Sequence, residues 1–145
     1  MALSKNIVYV DGVRTPFLRS NTDYNDLMSY QLGSFAIKGL MDKTGLDPDK
    51  VDRVIMGTTI SNVKTGNVAR EAALSAGLPD KVACHTVTQA CISANQAITS
   101  GVEQILADQA EVVIAGRRLG ALQAVAAVAF CQLFPLKVLY ILAAT

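Results

Sequence analysis

Four short runs rich in β-branched and other apolar residues recur along the first 116 residues of the chain. The runs are NIVYVDGVRTPF, VDRVIMGTT, ACHTVTQ and EVVIAG. They show little alternation between polar and apolar positions, which is typical of strands buried on both faces of a sheet. Because helix-like segments separate the runs, the order predicts an α/β fold with a layered, mostly parallel sheet covered by helices.

The segment between the first two runs, NDLMSYQLGSFAIKGLMDKTG, predicts a long amphipathic helix. Its apolar residues recur at three- and four-residue steps, which places them on one helical face. That face comprises Leu27, Met28, Leu32, Phe35, Ala36, Leu40 and Met41. Asn25 or Asp26 is expected to cap the start of the helix, and Gly45 to supply the left-handed residue that follows its end.

Two further helices and one short turn are predicted downstream. The segment NVAREAALSAGLP follows the polar loop ISNVKTG, and Asn67 is placed to cap the helix that it forms. Residues 92–108 carry their apolar side chains on one face and predict the last helix. Asp47 followed by Pro48 indicates a short helical turn before the second run.

The composition indicates a globular chain with room for one core. Its 145 residues are 51% hydrophobic and 17% charged, a balance that separates folded chains from disordered ones. The net charge of +1 argues against nucleic acid as a partner, because such binding needs a basic surface. Cys84, Cys91 and Cys131 match no metal-ligand spacing, and no secretory signal or organelle presequence is recognisable at the N-terminus. Free thiols in a reducing compartment are therefore expected.

The character of the sequence changes after Gly116. Eighteen residues from Leu119 to Leu136 carry no charge, and they are bracketed by Arg118 and Lys137. This length just qualifies the segment as a membrane-span candidate. The segment is also rich in alanine, contains two glutamines and is broken by a proline, so a buried or mispaired apolar tail is favoured over a membrane span.

Cys91 lies where the third run gives way to the third helix, in TVTQACISANQAITSG. One interpretation is a small packed residue, which is the common state of a free cysteine. The other is a nucleophile, because ligand sites of open α/β sheets gather at the carboxyl ends of strands and a helix N-terminus favours the thiolate. The N–H groups there also suit the oxyanion of an acyl intermediate. The residues alone leave both interpretations open, and His85, the one histidine, is expected to be structural.

Four motifs follow one another along the chain: VDGVRTPF, GNVAREAALSAGLP, TVTQACISANQAITSG and AEVVIAG. In this order they resemble the N-terminal part of a thiolase, and the resemblance covers residues 5–116. It implies a partial thiolase N-terminal domain in which Cys91 takes the acyl group as a thioester. The implied reaction is that of an acetyl-CoA C-acyltransferase in fatty-acid β-oxidation, with coenzyme A as a substrate and no permanently bound cofactor. A homo-oligomer or a thiolase subunit partner and a mitochondrial location are also implied.

The chain departs from the thiolase pattern in its second half. The family's Gly-His-Pro segment and its second cysteine, in a Cys-x-Gly-Gly-Gly segment, supply the catalytic acid and base, and neither segment occurs in this sequence. Residues 117–145 are not thiolase-like, so we expect a division into residues 5–116 and a divergent hydrophobic tail, as in a truncated thiolase. Two alternatives stay open: an inactive chain that pairs with an intact subunit, and a small membrane-associated protein that uses residues 119–136.

Four other polar sites are weighed as ligands for coenzyme A or as contact residues. Arg14 and Arg70 have the charge for a phosphate, but a structural charge pair or a subunit contact is favoured for both. Asn95 falls in the first turn of the predicted nucleophile helix, and a surface or interface role is favoured for it. Residues 61–66 are expected near a dimer contact of the family, without a catalytic role.

Overall fold

The structure of the protein is a computed structural model that describes residues 7–16, 18, 22–61, 63–118, 126–133 and 136–138. Within these ranges the strands are β1 (Tyr9–Arg14), β2 (Arg53–Thr58), β3 (Ala83–Val87), β4 (Val113–Arg118), β5 (Ala126–Leu133) and β6 (Leu136–Val138). The α-helices are α1 (Ser29–Thr44), α2 (Val68–Ser75) and α3 (Ser93–Leu106). The predicted alternation of strands with helices is confirmed.

The strands form one sheet in the order β1-β5-β4-β2-β3, and β6 pairs with β5. Strand β2 pairs in parallel with both β3 and β4. Strand β5 is antiparallel to β4 on one side and to β1 on the other, so β1 runs in the same direction as β2, β3 and β4. The predicted α/β class with a mostly parallel sheet is confirmed.

Helices cover both faces of the central strand β2. A Cβ added to Gly33 of α1 would lie 3.7 Å from the Met56 side chain, whereas one added to the next residue of the strand, Gly57, would meet α3. Because successive side chains of a strand point to opposite faces, α1 and α3 lie on opposite sides of the sheet. This explains why Val54, Ile55 and Met56 are all fully buried, as the unbroken apolar run predicts.

Strand β1 differs from its prediction, because it is not buried. Tyr9 is 47% exposed and Val10 is 40% exposed. The strand stands at the end of the sheet order, where it has one neighbour, β5, within the described part of the chain. Its β-branched composition predicts a strand correctly, but it does not distinguish an edge strand from a central one.

Helix α1 begins later than predicted and buries a slightly different face. Its N-cap is Met28, whose backbone N–H donates to Oε1 of Gln31 at 2.7 Å, so the predicted caps Asn25 and Asp26 are wrong. Phe35, predicted on the buried face, is 50% exposed, because the buried stripe runs through Leu32, Ala36, Ile37 and Leu40. The predicted C-terminal residue, Gly45, is confirmed with a φ of 65°.

The residues after Gly116 fall partly inside the described ranges. Strand β4 includes Arg117 and Arg118, and residues 126–133 of the apolar tail form β5 between β4 and β1. Residues 119–125 and 134–135 of the membrane-span candidate lie outside the described residues. In the described part of the chain, no helix is long and apolar enough to cross a membrane.

Asn67 caps α2, as predicted, and also ties the helix to the sheet. Its Oδ1 accepts a hydrogen bond from the Arg70 backbone N–H at 3.2 Å and another from the Thr86 hydroxyl at 3.0 Å. Its Nδ2 donates to the carbonyl oxygen of Cys84 at 3.0 Å. One side chain therefore satisfies a helix terminus and two groups of β3.

Replacing Asn67 by alanine should lower the free energy of unfolding of this chain by about 1–3 kcal/mol, because the cap and two partly buried hydrogen bonds are lost together. Asn95→Ala is the matched control, since Asn95 is exposed in the first turn of α3. Urea unfolding followed by circular dichroism measures both variants. Equal stability of the two variants would contradict the role of Asn67.

Candidate active site around Cys91

Residues 88–92 form a tight elbow between the end of β3 and the start of α3. The Ile92 N–H donates to the Gln89 carbonyl at 3.1 Å, and the Ser93 N–H donates to the Ala90 carbonyl at 3.3 Å. Ala90 has a φ of 45°, in the left-handed region, which costs a residue with a Cβ about 1–2 kcal/mol. Such a conformation persists only where surrounding contacts impose it.

Cys91 lies between β3 and α3, as predicted from the sequence, and α3 begins at Ser93, one residue later than the predicted range of residues 92–108. Its side chain is exposed, so the interpretation as a packed core residue does not describe it. The first-turn N–H groups of an α-helix lack partners within the helix and favour a nearby anion. The arrangement offers an accessible thiol at a helix N-terminus, and the role of nucleophile stays a prediction.

Ser93 joins the elbow to the central strand. The residue is 0% exposed, and its Oγ accepts a hydrogen bond from the Gln89 N–H at 2.8 Å. The hydroxyl lies 2.7 Å from the carbonyl oxygen of Ala90 and 3.0 Å from that of Thr58, and it can donate its one proton to either. One small side chain thus contacts two adjacent residues of the elbow, Gln89 and Ala90, and the last residue of β2.

Gly57 lets α3 approach the sheet closely enough for these hydrogen bonds. A Cβ at this position would lie 2.5 Å from the carbonyl carbon of Ser93, nearer still to its oxygen, and 2.9 Å from the Ala94 nitrogen. All three atoms belong to the backbone of the first turn of α3, so a side chain at position 57 would have to push the helix away. The absence of a side chain at Gly57 sets the height of the helix above the sheet.

The segment after β2 runs beside the elbow. The Thr59 hydroxyl donates to the Ala90 carbonyl at 3.3 Å, and the Thr58 hydroxyl donates to the Ile60 carbonyl at 2.9 Å. Ile60 and Ile92, one on each segment, are both exposed. The surface next to Cys91 is therefore apolar in part.

The other cysteines differ from Cys91 in their surroundings. Cys84 is half-buried in β3, its thiol donates to the Val82 carbonyl at 3.4 Å, and burial raises its pKa. The hydrogen bond and charge of Arg70 oppose that shift. Cys131 belongs to β5. Among the described residues, no three His, Cys, Asp or Glu side chains converge as a metal site would require.

His85 lies within β3, opposite Ile55 of β2, and two residues before the strand ends. Partial burial lowers its pKa, and the positive charge of Arg53 lowers it further. Both effects favour the neutral imidazole. Its place inside a strand, and not in the elbow, supports the expected structural role.

The two arginines weighed as phosphate ligands have backbone partners. Nη1 of Arg70 donates to the carbonyls of Asp80 at 2.8 Å and Val82 at 2.9 Å, so the guanidinium fastens α2 to the turn before β3. The structural role favoured for Arg70 is supported, with carbonyl groups in place of a charged partner. Nη1 of Arg14 donates to the Thr15 carbonyl at 3.4 Å, and Arg14 is exposed at the end of β1.

The remaining weighed residues are Asn95 and residues 61–66, and they differ in exposure. Asn95 is exposed in the first turn of α3. In residues 61–66, Val63 is exposed and Thr65 is buried, while Asn62 lies outside the described residues.

The residues that surround the elbow but were not predicted from the sequence are Ser93, Gly57 and Thr59. A serine two residues after the cysteine and a glycine at the end of a buried strand are the signals that could have pointed to two of them.

Comparison with known proteins identifies relatives of most of the chain. The family model described as "Thiolase, N-terminal domain" matches residues 7–118. The mitochondrial trifunctional enzyme subunit beta of Homo sapiens is 56% identical over 112 residues, which cover 77% of this chain and 24% of that protein. A probable 3-ketoacyl-CoA thiolase of Caenorhabditis elegans is 52% identical over 111 residues, covering 77% of this chain and 25% of that protein.

The fold is also found in a solved structure. The acetyl-CoA acetyltransferase of Bacillus anthracis superposes with a TM-score of 0.74 and 34% sequence identity, over 78% of this chain and 29% of that chain. Measured against the human and Caenorhabditis elegans relatives, this chain spans about a quarter of their length. The family suggested by the sequence motifs is confirmed, and the residues matched by the family model include Gly57, the elbow and α3.

Gly57→Ala should destabilise the chain by about 3 kcal/mol, the upper end of the usual cost of overpacking, because the new Cβ meets helix backbone and not a flexible side chain. Gly39→Ala is the matched control, since a Cβ at Gly39 in α1 would meet no atom within 4 Å. That variant should gain about 0.5–1 kcal/mol from helix propensity. Chemical unfolding compares the two, and a Gly57→Ala chain as stable as the wild type would refute the close approach.

His85 should make the chain less stable as the pH falls below about 6.5, its ordinary pKa. Because the pKa of His85 is lowered by folding, the unfolded chain binds the proton first, and unfolding is favoured as the pH falls. Above that pH, imidazole is neutral in both states and the effect vanishes. Urea midpoints of the wild type and of His85→Gln should diverge on acidification, with the wild type losing more. Parallel pH profiles would contradict the lowered pKa.

Proposed function

The chain belongs to the thiolase family, and on that basis we propose that Cys91 is the nucleophile of an acyl transfer between a 3-ketoacyl-CoA and coenzyme A. The observation that carries the proposal is the exposed position of Cys91 in the elbow directly before α3. The names of the relatives, a 3-ketoacyl-CoA thiolase and a trifunctional enzyme subunit, support the substrate class and a role in fatty-acid oxidation.

The proposed reaction has two covalent steps. The Cys91 thiolate attacks the keto carbon of the 3-ketoacyl-CoA, the adjacent C–C bond breaks, and its electron pair leaves as the enolate of acetyl-CoA, which takes up a proton. The shortened acyl chain stays on sulfur as a thioester. A second coenzyme A then loses its thiol proton and attacks this thioester, the acyl group moves to its sulfur, and the Cys91 thiolate is restored. Cysteine suits this exchange because substrate, intermediate and product are all thioesters, so little acyl-transfer potential is lost.

This proposal assigns the covalent steps to Cys91 and assigns the acid and base to no residue of this sequence. Cleavage of the C–C bond needs an acid for the departing enolate and a base that raises the thiolate fraction. His85 lies inside β3, three residues before the elbow begins, and its backbone pairs with β2. Because no residue of this sequence is assigned as the acid or the base, the alternative is an inactive chain that pairs with an intact thiolase subunit.

A subunit partner and a mitochondrial location complete the proposal. Strand β3 ends the sheet order, so one of its edges has no strand neighbour within the described residues. A second copy or a related thiolase subunit could add a strand there by backbone hydrogen bonding. Coenzyme A and its acyl thioesters act as substrates, without a permanently bound cofactor. The mitochondrial location is proposed because the name of the human relative includes the word mitochondrial.

Acetyl-CoA alone tests the nucleophile, because acetyl exchange between two thiols breaks no C–C bond and needs no acid for an enolate. We expect mass spectrometry to find a hydroxylamine-sensitive acetyl group on Cys91 of the wild-type chain and none in Cys91→Ala. Cys84 is the internal control, since it is half-buried with a raised pKa. Acetylation of Cys84 and not Cys91 would refute the proposed nucleophile.

Acetoacetyl-CoA together with coenzyme A tests the complete reaction. Acetyl-CoA release by the wild type that disappears in Cys91→Ala would rule out the inactive-chain alternative. Acetyl exchange without C–C cleavage would support it, because the nucleophile would then work without the acid. Carbonate extraction of membranes checks the membrane-associated alternative, which a chain found wholly in the supernatant would exclude.

A further inference from the structure

We propose that the buried Ser93 hydroxyl, together with the Thr59 hydroxyl, positions Cys91 by fixing the carbonyl group of Ala90. This inference rests on the proposed role of Cys91 and adds a function for two residues that do not themselves react. Ser93 and Thr59 are positioning residues, since their hydroxyl groups contact the backbone of the elbow.

We place the one proton of the Ser93 hydroxyl on its shorter contact, the Ala90 carbonyl, which then has three donors. They are the Ser93 N–H at 3.3 Å, the Ser93 hydroxyl at 2.7 Å and the Thr59 hydroxyl at 3.3 Å. Two of the donors come from the first residue of α3, and the third comes from the segment after β2. The carbonyl is therefore held from both the helix and the sheet.

Holding this carbonyl also orients Cys91. The Ala90 carbonyl and the Cys91 N–H belong to one planar peptide unit and point in opposite directions. Donors that fix the carbonyl direction therefore fix the Cys91 N–H and the position of its Cα, from which the thiol projects. The left-handed φ of Ala90, 45°, is the unfavourable local conformation that this clamp maintains.

Ser93 is suited to the task by size and by chemistry. The site is closed, because Ser93 is 0% exposed and its own carbonyl lies against Gly57. A hydroxyl supplies one donor and two acceptor positions, and here it accepts from Gln89 while it faces the carbonyls of Ala90 and Thr58. An alanine would leave these groups without their side-chain partner while it preserved the space.

The experiment measures the alkylation of Cys91 by iodoacetamide, with peptide mass spectrometry to separate it from the other cysteines. The rate is followed from about pH 5 to about pH 10, on both sides of the usual thiol pKa of about 8.5, for the native chain and for the chain in urea. Unfolding removes the elbow, so the urea sample reports an ordinary cysteine. The variants are Ser93→Ala, Thr59→Val and Ile105→Val, the last being a buried α3 residue remote from the elbow in sequence.

We expect native wild-type Cys91 to react faster than unfolded Cys91. Ser93→Ala should lower the native rate near neutral pH by roughly threefold to fivefold and displace the pH–rate profile to higher pH, which is the size of a helix-terminus effect on a charge. Thr59→Val, at an exposed position, should act in the same direction and more weakly, and it tests the clamp even where Ser93→Ala fails to fold. Ile105→Val should lower stability and leave the profile in place.

The outcomes separate the two proposals. A fast native Cys91 whose profile is unchanged in Ser93→Ala and Thr59→Val would overturn the clamp and leave the proposed nucleophile standing. If Ile105→Val displaced the pH–rate profile as far as Ser93→Ala does, the effect would be a general loss of packing, and the clamp would also be overturned. A native wild-type rate no greater than that in urea would overturn the activated thiol, and with it the clamp.

Discussion

The contact between Gly57 and the first turn of α3 determines the geometry of the candidate site. Gly57 stands near the carboxyl end of β2, the strand that pairs with both β3 and β4. A Cβ there would overlap the backbone of Ser93 and Ala94, so the helix rests on the strand with no side chain between them. Because Cys91 is two residues from Ser93 along the chain, the height of the helix above the sheet also determines where the thiol emerges.

Such a close approach buries backbone polar groups, and buried polar groups need hydrogen-bond partners. Ser93 meets this need at the start of α3 by contacting the carbonyl of Thr58 and the backbone of Gln89 and Ala90 in the elbow. Asn67 has the corresponding role at the start of α2, where it contacts Cys84 and Thr86 of β3. Each of the two helices is thus tied to the sheet by one small polar side chain at its N-terminus. At the N-terminus of an exposed helix, water would supply some of these hydrogen bonds. Here the two side chains supply them instead.

Most features of the fold that depend on nearby residues could be predicted from the sequence, although the predicted caps of α1, Asn25 and Asp26, were wrong. The caps at Asn67 and Asp47 and the left-handed Gly45 are confirmed, since each acts on backbone within a few positions. The exposure of β1 and of Phe35 was not predicted, because it depends on which strands and helices become neighbours. The fold class was predictable because the alternation of strands and helices is a property of the whole sequence.

In the candidate site, too, the features set by nearby residues could be predicted and those set by distant residues could not. The place of Cys91 before a helix could be predicted, because strand and helix signals lie on either side of it. The clamp could not, because the Thr59 hydroxyl lies 31 positions along the chain from the Ala90 carbonyl to which it donates, and the Ser93 hydroxyl packs against the Thr58 carbonyl, 35 positions away. Acyl exchange between thiols needs an accessible thiolate in a fixed place, whereas C–C cleavage also needs a proton donor for the enolate. Gly57, Ser93 and Thr59 all act on the first requirement, so the proposed covalent step can be tested apart from cleavage.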